Sequence, residues 1–71
     1  MGIKEVKERL ADINLSAFNH DNEMAHGYED ALLNGFVKAI KDNKYKTKEE
    51  IIKVATEVYK AREISFERWR A

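Results

Sequence analysis

The strongest constraint on the fold is a run of apolar residues at helical spacing, between Glu23 and Lys41, which one carboxylate interrupts. At about 100° per residue, this run places its apolar side chains on one arc of a helix. The arc contains Ala25, Tyr28, Leu32, Leu33, Phe36, Val37 and Ile40. Glu29 projects into the same arc, where a carboxylate is costly unless it is paired, protonated or bound to a metal. The sequence therefore predicts a partner for Glu29 inside the fold.

Length and composition predict one small helical domain. The chain has 71 residues, no proline and no cysteine, so we expect one domain without disulfides or zinc-thiolate sites. The alternation of β-branched residues that is typical of strands is missing. Thirteen basic residues balance thirteen acidic residues, which disfavours nucleic acid or an anionic membrane as a partner. No apolar run approaches the length of a membrane span, so we expect a cytoplasmic protein.

The apolar pattern predicts two helices in the first 41 residues. Helix 1 is expected from about residue 3 to residue 16, and helix 2 from residue 23 to residue 41. Asp21 or Asn22 is expected to cap helix 2. The apolar arc of helix 2 spans more than half of its circumference, so we expect this helix to be central and contacted on two sides. Gly35 within it predicts the close approach of another backbone.

A third helix is predicted after a lysine-rich connection. Asn43 is expected to end helix 2 in a left-handed conformation. Thr47 and Glu50 form a capping box, from which helix 3 is expected to continue to about residue 63. The predicted architecture is all-α, a three-helix bundle with a long central second helix and a short C-terminal turn. We expect it to form a single domain over residues 1–71.

A cluster of acidic residues around one histidine is predicted on helix 2, comprising Glu23, His26, Glu29 and Asp30. Spacings of three and four residues allow His26 to contact each of the other three. Arg62 lies on the predicted apolar face of helix 3, and an antiparallel helix 3 would bring it near Glu29. We expect a buried Glu29–Arg62 pair, with His26 as a second donor. The Trp69 indole N–H is another candidate donor.

Two chemical interpretations of this cluster stay open beside the structural one. Glu23 and His26 have the Glu-x-x-His spacing of di-metal helical bundles, but one chain supplies it once, so a metal site would need a symmetric dimer. General acid–base catalysis is the second interpretation, although no nucleophile or phosphate-binding glycine loop accompanies the cluster. We expect no catalytic residue, no metal and no cofactor. The candidate ligand-binding residues are His26, Glu29, Asp30, Glu23 and Arg62.

Aromatic residues outside the cluster suggest a homo-oligomer. Phe18 and Tyr28 are expected in the core or against it. The candidate dimer surface comprises Tyr45, Tyr59 and Phe66, because aromatic residues are enriched at interfaces. The lysines of residues 41–48 surround an aromatic residue, as in some single-strand nucleic-acid sites, but acidic neighbours dilute their charge. We therefore expect a protein partner and no nucleic acid.

Two motifs resemble those of a group of small helical proteins encoded by phage and prophage genomes. Residues 21–32 have the pattern D-x-E-x-A-H-x-x-E-D-x-L, and residues 66–71 have the pattern F-x-R-W-x-A. The resemblance covers about half of the chain, and residues 41–50 match nothing in it. Met24 and the neutral charge balance also depart from the group. The resemblance implies a phage setting and a shared acidic and histidine segment, but no activity.

These observations together predict a small non-enzymatic phage-type protein that binds a host or phage protein in the host cytoplasm. An anti-defence role follows from the setting alone. One alternative is a small-ligand or metal site around His26 and Glu29 at a dimer interface. The other alternative is a structural dimerisation module.

Overall fold

The computed structural model describes residues 1–67, which form three α-helices and a short 3-10 helix. Helix α1 spans Ile3–Phe18, α2 spans Asn22–Lys41, α3 spans Lys48–Tyr59, and the 3-10 helix spans Lys60–Glu63. The predicted all-α three-helix bundle with a long second helix is confirmed. Helix α1 is two residues longer than expected. The regular winding of α3 ends earlier than expected, because its last turn tightens into the 3-10 helix.

Side-chain caps begin α2 and α3 where the sequence predicts them. The Asp21 carboxylate accepts the Met24 backbone N–H at 3.2 Å, and the Thr47 hydroxyl accepts the Glu50 N–H at 3.1 Å. The capping box at α3 is shifted by one residue, because the Glu50 carboxylate accepts the Lys46 N–H at 2.8 Å. These bonds satisfy backbone donors that a helix start leaves without an intrahelical partner.

Left-handed residues end α1 and α2. His20 has a φ of 60°, and Asn43, as predicted, has a φ of 57°. After α1, the His20 N–H donates to the Ala17 carbonyl at 3.0 Å. The Asp21 N–H donates to the Ser16 carbonyl at 2.8 Å. This pair of bonds is a Schellman motif, which turns the chain sharply into α2. The sequence does not predict this role of His20, because glycine or asparagine usually fills this position.

The core lies along a narrow apolar seam of α1, which comprises Ile3, Val6, Leu10, Ile13 and Ala17. Helix α1 contacts α2, α3 and the 3-10 helix, and α2 also contacts α3. Val6, Ile13 and Leu32 are the largest fully buried side chains. The buried hydrophobic residues are Val6, Leu10, Ile13, Ala25, Leu32, Ala39, Tyr45, Val54, Val58 and Ala61. Within residues 1–67, no helix is both long and apolar enough to cross a bilayer.

Three apolar residues that the sequence predicts in or against the core, or on the apolar arc of helix 2, are exposed. Phe18 is 81% exposed and Val37 is 63% exposed, while Tyr28 also belongs to the exposed residues. Phe18 follows Val6 by twelve residues, which places it about 120° around α1 from Val6. Val37 and Tyr28 lie on opposite flanks of the wide α2 arc, and the neighbouring helices cover only its centre. Phe18 and Tyr28 are therefore not core residues, and the part of the prediction that placed them in the core is wrong.

The connection between α2 and α3 folds back onto the start of the chain through Tyr45. The Tyr45 hydroxyl donates to the Met1 carbonyl at 2.6 Å, and the Tyr45 and Phe36 ring centroids are 6.0 Å apart. Tyr45 is therefore buried and not part of a dimer surface, contrary to expectation. Gly35 accommodates a side chain instead of another backbone, since a Cβ added there would lie 2.6 Å from Met1 Cε.

We expect the Tyr45 hydrogen bond to make stability sensitive to alkaline pH. Burial raises the pKa of the Tyr45 phenol above its ordinary value of 10.0, and Glu50 and Glu5 raise it further. The folded state thus favours the protonated phenol. The contribution of the Tyr45 phenol to the free energy of unfolding is therefore complete below pH 10 and declines at higher pH. Tyr45→Phe is expected to cost about 1 kcal/mol at pH 7, with a smaller difference from wild type above pH 10.

Denaturant titrations between pH 7 and pH 11 measure this difference. Tyr59→Phe is the matched control, because Tyr59 is exposed, and we expect it to change stability little at any of these pH values. A Tyr45→Phe effect that stays constant through pH 11 would contradict the hydrogen-bond explanation.

His20→Gly is expected to raise the free energy of unfolding by about 0.5–1 kcal/mol. Glycine adopts the left-handed conformation without the Cβ penalty, and this gain exceeds its larger entropy loss on folding. His20→Ala is the control, because it removes the imidazole but keeps the Cβ. Thermal and denaturant unfolding of wild type and both variants measure the effect. Equal stabilities of His20→Gly and wild type would show that the backbone at residue 20 is not strained.

Candidate functional site

The four residues of the predicted cluster lie on the N-terminal half of α2, but only Glu29 is buried. Glu29 is 2% exposed, whereas Glu23 and Asp30 are exposed and His26 is partly buried. Glu29 is separated from Asp30 because it faces the core, about 100° around α2 from Asp30. The cluster therefore divides into a buried carboxylate and a group near the surface.

His26 pairs with Asp30 on the surface of α2. His26 Nδ1 lies 3.4 Å from Asp30 Oδ2, one turn away, and the pair is an ion pair only when the imidazole is protonated. A partly exposed pair of this kind contributes little to stability. The expected contact between His26 and Glu29 is absent within residues 1–67, because the imidazole is directed towards Asp30.

The buried carboxylate of Glu29 is partnered, as its burial requires. Glu29 takes part in an interaction. Among residues 1–67, no buried side-chain nitrogen or oxygen lacks a hydrogen-bond partner. The predicted partner is wrong, since Arg62 is exposed and forms no ion pair with Glu29. Winding at about three residues per turn after Tyr59 rotates Arg62 away from the apolar face of α3. The other candidate donor, Trp69, lies outside the described residues.

The structure brings too few ligands together for a metal site within residues 1–67. No group of three or more histidine, cysteine, aspartate or glutamate side chains there could hold a metal ion. His26 and Asp30 supply two donors, whereas protein zinc sites use three or four protein ligands.

A first exposed apolar surface, which we call the α1–α3 face, lies between the end of α1 and the α3–3-10 segment. Its large apolar side chains are Phe18, Ile52 and Tyr59, which are 81%, 53% and 65% exposed. Phe18 lines one depression and the other two line a second depression. Lys60 and Glu63 line both, so the depressions adjoin. The sequence predicts Tyr59 on a dimer surface and Phe18 in the core or against it.

A second surface, which we call the α1–α2 face, combines exposed apolar and acidic side chains. Met24 and Tyr28 form its apolar part, and Tyr28 lines depressions on both of its sides. Arg9 lies on this face and pairs with Glu5 at 3.0 Å. The charged residues of the face are Lys4, Glu5, Glu8, Arg9, Asp12, Asp21 and Glu23. The sequence does not predict this surface, because its residues come from two helices.

The lysine-rich connection does not form an aromatic nucleic-acid platform. Its central aromatic residue, Tyr45, is buried and so cannot stack on a base. Lys38 and Lys41 contact the Asp42 carboxylate at 2.7 and 2.8 Å. These hydrogen bonds hold the pKa of Asp42 below its ordinary value of 3.8, and the hydrogen bond from Lys38 has the larger effect. Part of the basic charge is therefore neutralised within the chain.

A comparison of the chain with protein-family models, curated proteins and solved structures finds no significant match. No activity, ligand or partner is therefore transferred from another protein. The two exposed faces, together with the buried Glu29, are the features from which a function is inferred.

Glu29→Ala is expected to lower the free energy of unfolding by about 2–4 kcal/mol. The substitution leaves a cavity and removes the group that satisfies the interaction partner of Glu29. Glu23→Ala is the control on the same helix, and its exposure limits the expected loss to about 0.5 kcal/mol. Denaturant titration measures both values. A Glu29→Ala variant as stable as wild type would contradict the structural role and make Glu29 a candidate ligand-binding residue again.

Proposed function

We propose that this chain is a small non-enzymatic protein that acts by binding another protein through the α1–α3 face. One observation carries the proposal, namely that Phe18, Ile52 and Tyr59 expose most of their surface in adjoining depressions. Exposed large apolar side chains in neighbouring depressions, with charged residues beside them, are typical of protein interaction sites. The protein partner would belong to the host or to the phage.

The composition of the face suits a protein interface. Phe18 and Tyr59 supply two aromatic side chains, which are enriched at the residues that dominate binding energy. Lys60 and Glu63 add charged groups beside them, and Lys60 is held by Glu57 at 3.2 Å. Such a polar rim provides hydrogen bonds and excludes water around apolar anchors. Helices α1 and α3 support the anchors, so little ordering is needed on binding.

The phage-type motifs supply the proposed setting. The motif of residues 21–32 includes Glu29, whose carboxylate is buried in the fold. This placement favours a role of the motif in the scaffold, with recognition on the outer surface. A host-cytoplasmic location and an anti-defence role remain part of the proposal and rest on the resemblance.

A homodimer is the second candidate, because the same face is partly self-complementary. Lys60 and Glu63 carry opposite charges beside the apolar side chains. Two copies related by a twofold axis would bring Lys60 of one copy towards Glu63 of the other. In that case the protein would be a structural dimerisation module.

We expect Phe18→Ala/Tyr59→Ala to weaken partner binding at least about tenfold, because both aromatic anchors are removed. Tagged wild type and variant would be compared by capture from lysates of uninfected and phage-infected bacteria, followed by titration of any stoichiometric partner. Val37→Ala is the matched control, since Val37 is 63% exposed on α2 outside this face. We expect the control to bind as wild type does. Melting curves would confirm that all three proteins are folded.

The outcomes separate the two candidates. Repeated failure to capture a stoichiometric partner would contradict hetero-association, and equal capture by the double variant would show that the face is wrong. Sedimentation at several concentrations tests the second candidate. A wild-type dimer that becomes monomeric in Phe18→Ala/Tyr59→Ala would favour dimerisation, whereas a monomeric wild type would exclude it.

A further inference from the structure

Charge is unevenly distributed over this neutral chain. The α1–α2 face carries five carboxylates and two cations, although the whole chain has thirteen of each sign. Arg9 is already paired with Glu5, which leaves Lys4 as the second cation of the face. Glu8 and Asp12 lie one helical turn apart, and neither takes part in an ion pair within residues 1–67. The face is therefore negative where it meets solvent.

An apolar strip lies beside these carboxylates. Met24 and Tyr28 are one turn apart on α2, and both are exposed. Gly27 adds no side chain next to them, and a Cβ there would meet no atom within 4 Å. The depression extends along α1 from Gly2 to Asp12, a distance of about 15 Å at 1.5 Å per residue. The surface can thus accept about three turns of a helix.

These features together match one kind of partner. We propose that the α1–α2 face binds a cationic amphipathic helical segment of a protein. Apolar side chains of the segment would cover Met24 and Tyr28, and its lysine or arginine side chains would face Glu8 and Asp12. The methionine side chain adapts to different apolar partners, and the tyrosine ring also attracts cations.

This inference goes beyond the proposed function, because it uses a different face and names the chemistry of the partner. The carboxylates would repel nucleic acid and anionic membranes. A polyamine would match the charge of the face but would leave Met24 and Tyr28 uncovered. Charge and apolar contact must therefore both contribute if the occupant is an amphipathic helix.

The test is a fluorescence anisotropy titration of the full chain against labelled synthetic peptides. The first peptide has about twelve leucine and lysine residues at amphipathic helical spacing, and is about 18 Å long as a helix. In a second peptide glutamate replaces lysine, and in a third serine replaces leucine. We expect the first peptide to bind at least about tenfold more tightly than either of the others. Raising the salt concentration is expected to weaken the binding of the first peptide.

Variants of the protein locate the site. Glu8→Gln/Asp12→Asn is expected to weaken binding of the leucine–lysine peptide at least about fivefold. Tyr28→Ala is expected to weaken it about tenfold. The matched control is Glu49→Gln/Glu67→Gln, which removes two exposed carboxylates elsewhere, and we expect it to bind within about twofold of wild type. Melting curves would confirm the folding of each variant.

Three results would overturn the inference. The first is equal binding of the lysine and glutamate peptides. The second is equal weakening of peptide binding by Glu8→Gln/Asp12→Asn and Glu49→Gln/Glu67→Gln, which would indicate general charge attraction. The third is peptide binding that Tyr28→Ala does not affect and that spermidine abolishes when it supplies the same concentration of positive charge as the peptide. This result would indicate a polyamine site. Phe18→Ala/Tyr59→Ala is expected to keep peptide binding. Loss of partner capture in that variant therefore tests the proposed function separately.

Discussion

The packing of the narrow apolar seam of α1 against the centre of α2 determines which other side chains are exposed. Val6 and Ile13 are fully buried in this contact, as is Leu32 on α2. A chain of this size buries only about 60% of the surface that its unfolded form exposes. Helices α1 and α3 cover the middle of the α2 arc, so the flanks carry exposed apolar side chains. The candidate binding surfaces are a consequence of this limited coverage.

Local backbone interactions set the directions in which the helices leave one another. The left-handed His20 reverses the chain after α1, and the Asp21 carboxylate starts α2 at once. At the other end, the Tyr45 hydroxyl holds the connection before α3 against the Met1 carbonyl. These interactions connect both ends of α1 to its neighbours. Helix α1 is consequently the element on which both candidate faces are built.

The two faces differ in chemistry although they share α1. The α1–α3 face offers aromatic anchors with one cation and one anion beside them. The α1–α2 face offers an apolar strip with an excess of carboxylates. Buried Glu29 belongs to the same segment of α2 as Met24 and Tyr28. The segment of residues 21–32 therefore contributes both to the core, through Glu29, and to the α1–α2 face, through Met24 and Tyr28.

The sequence by itself determined the number of helices, their starts and the α1 seam, because periodicity and capping act within a few residues. It also determined that Glu29 is buried and needs a partner. Only the tertiary structure decided that Arg62 is not that partner, since the 3-10 winding after Tyr59 changes its direction. The exposure of Phe18 and the burial of Tyr45 were likewise decided by which neighbours cover each flank. Coverage depends on contacts between residues far apart in the chain, which helical periodicity does not encode.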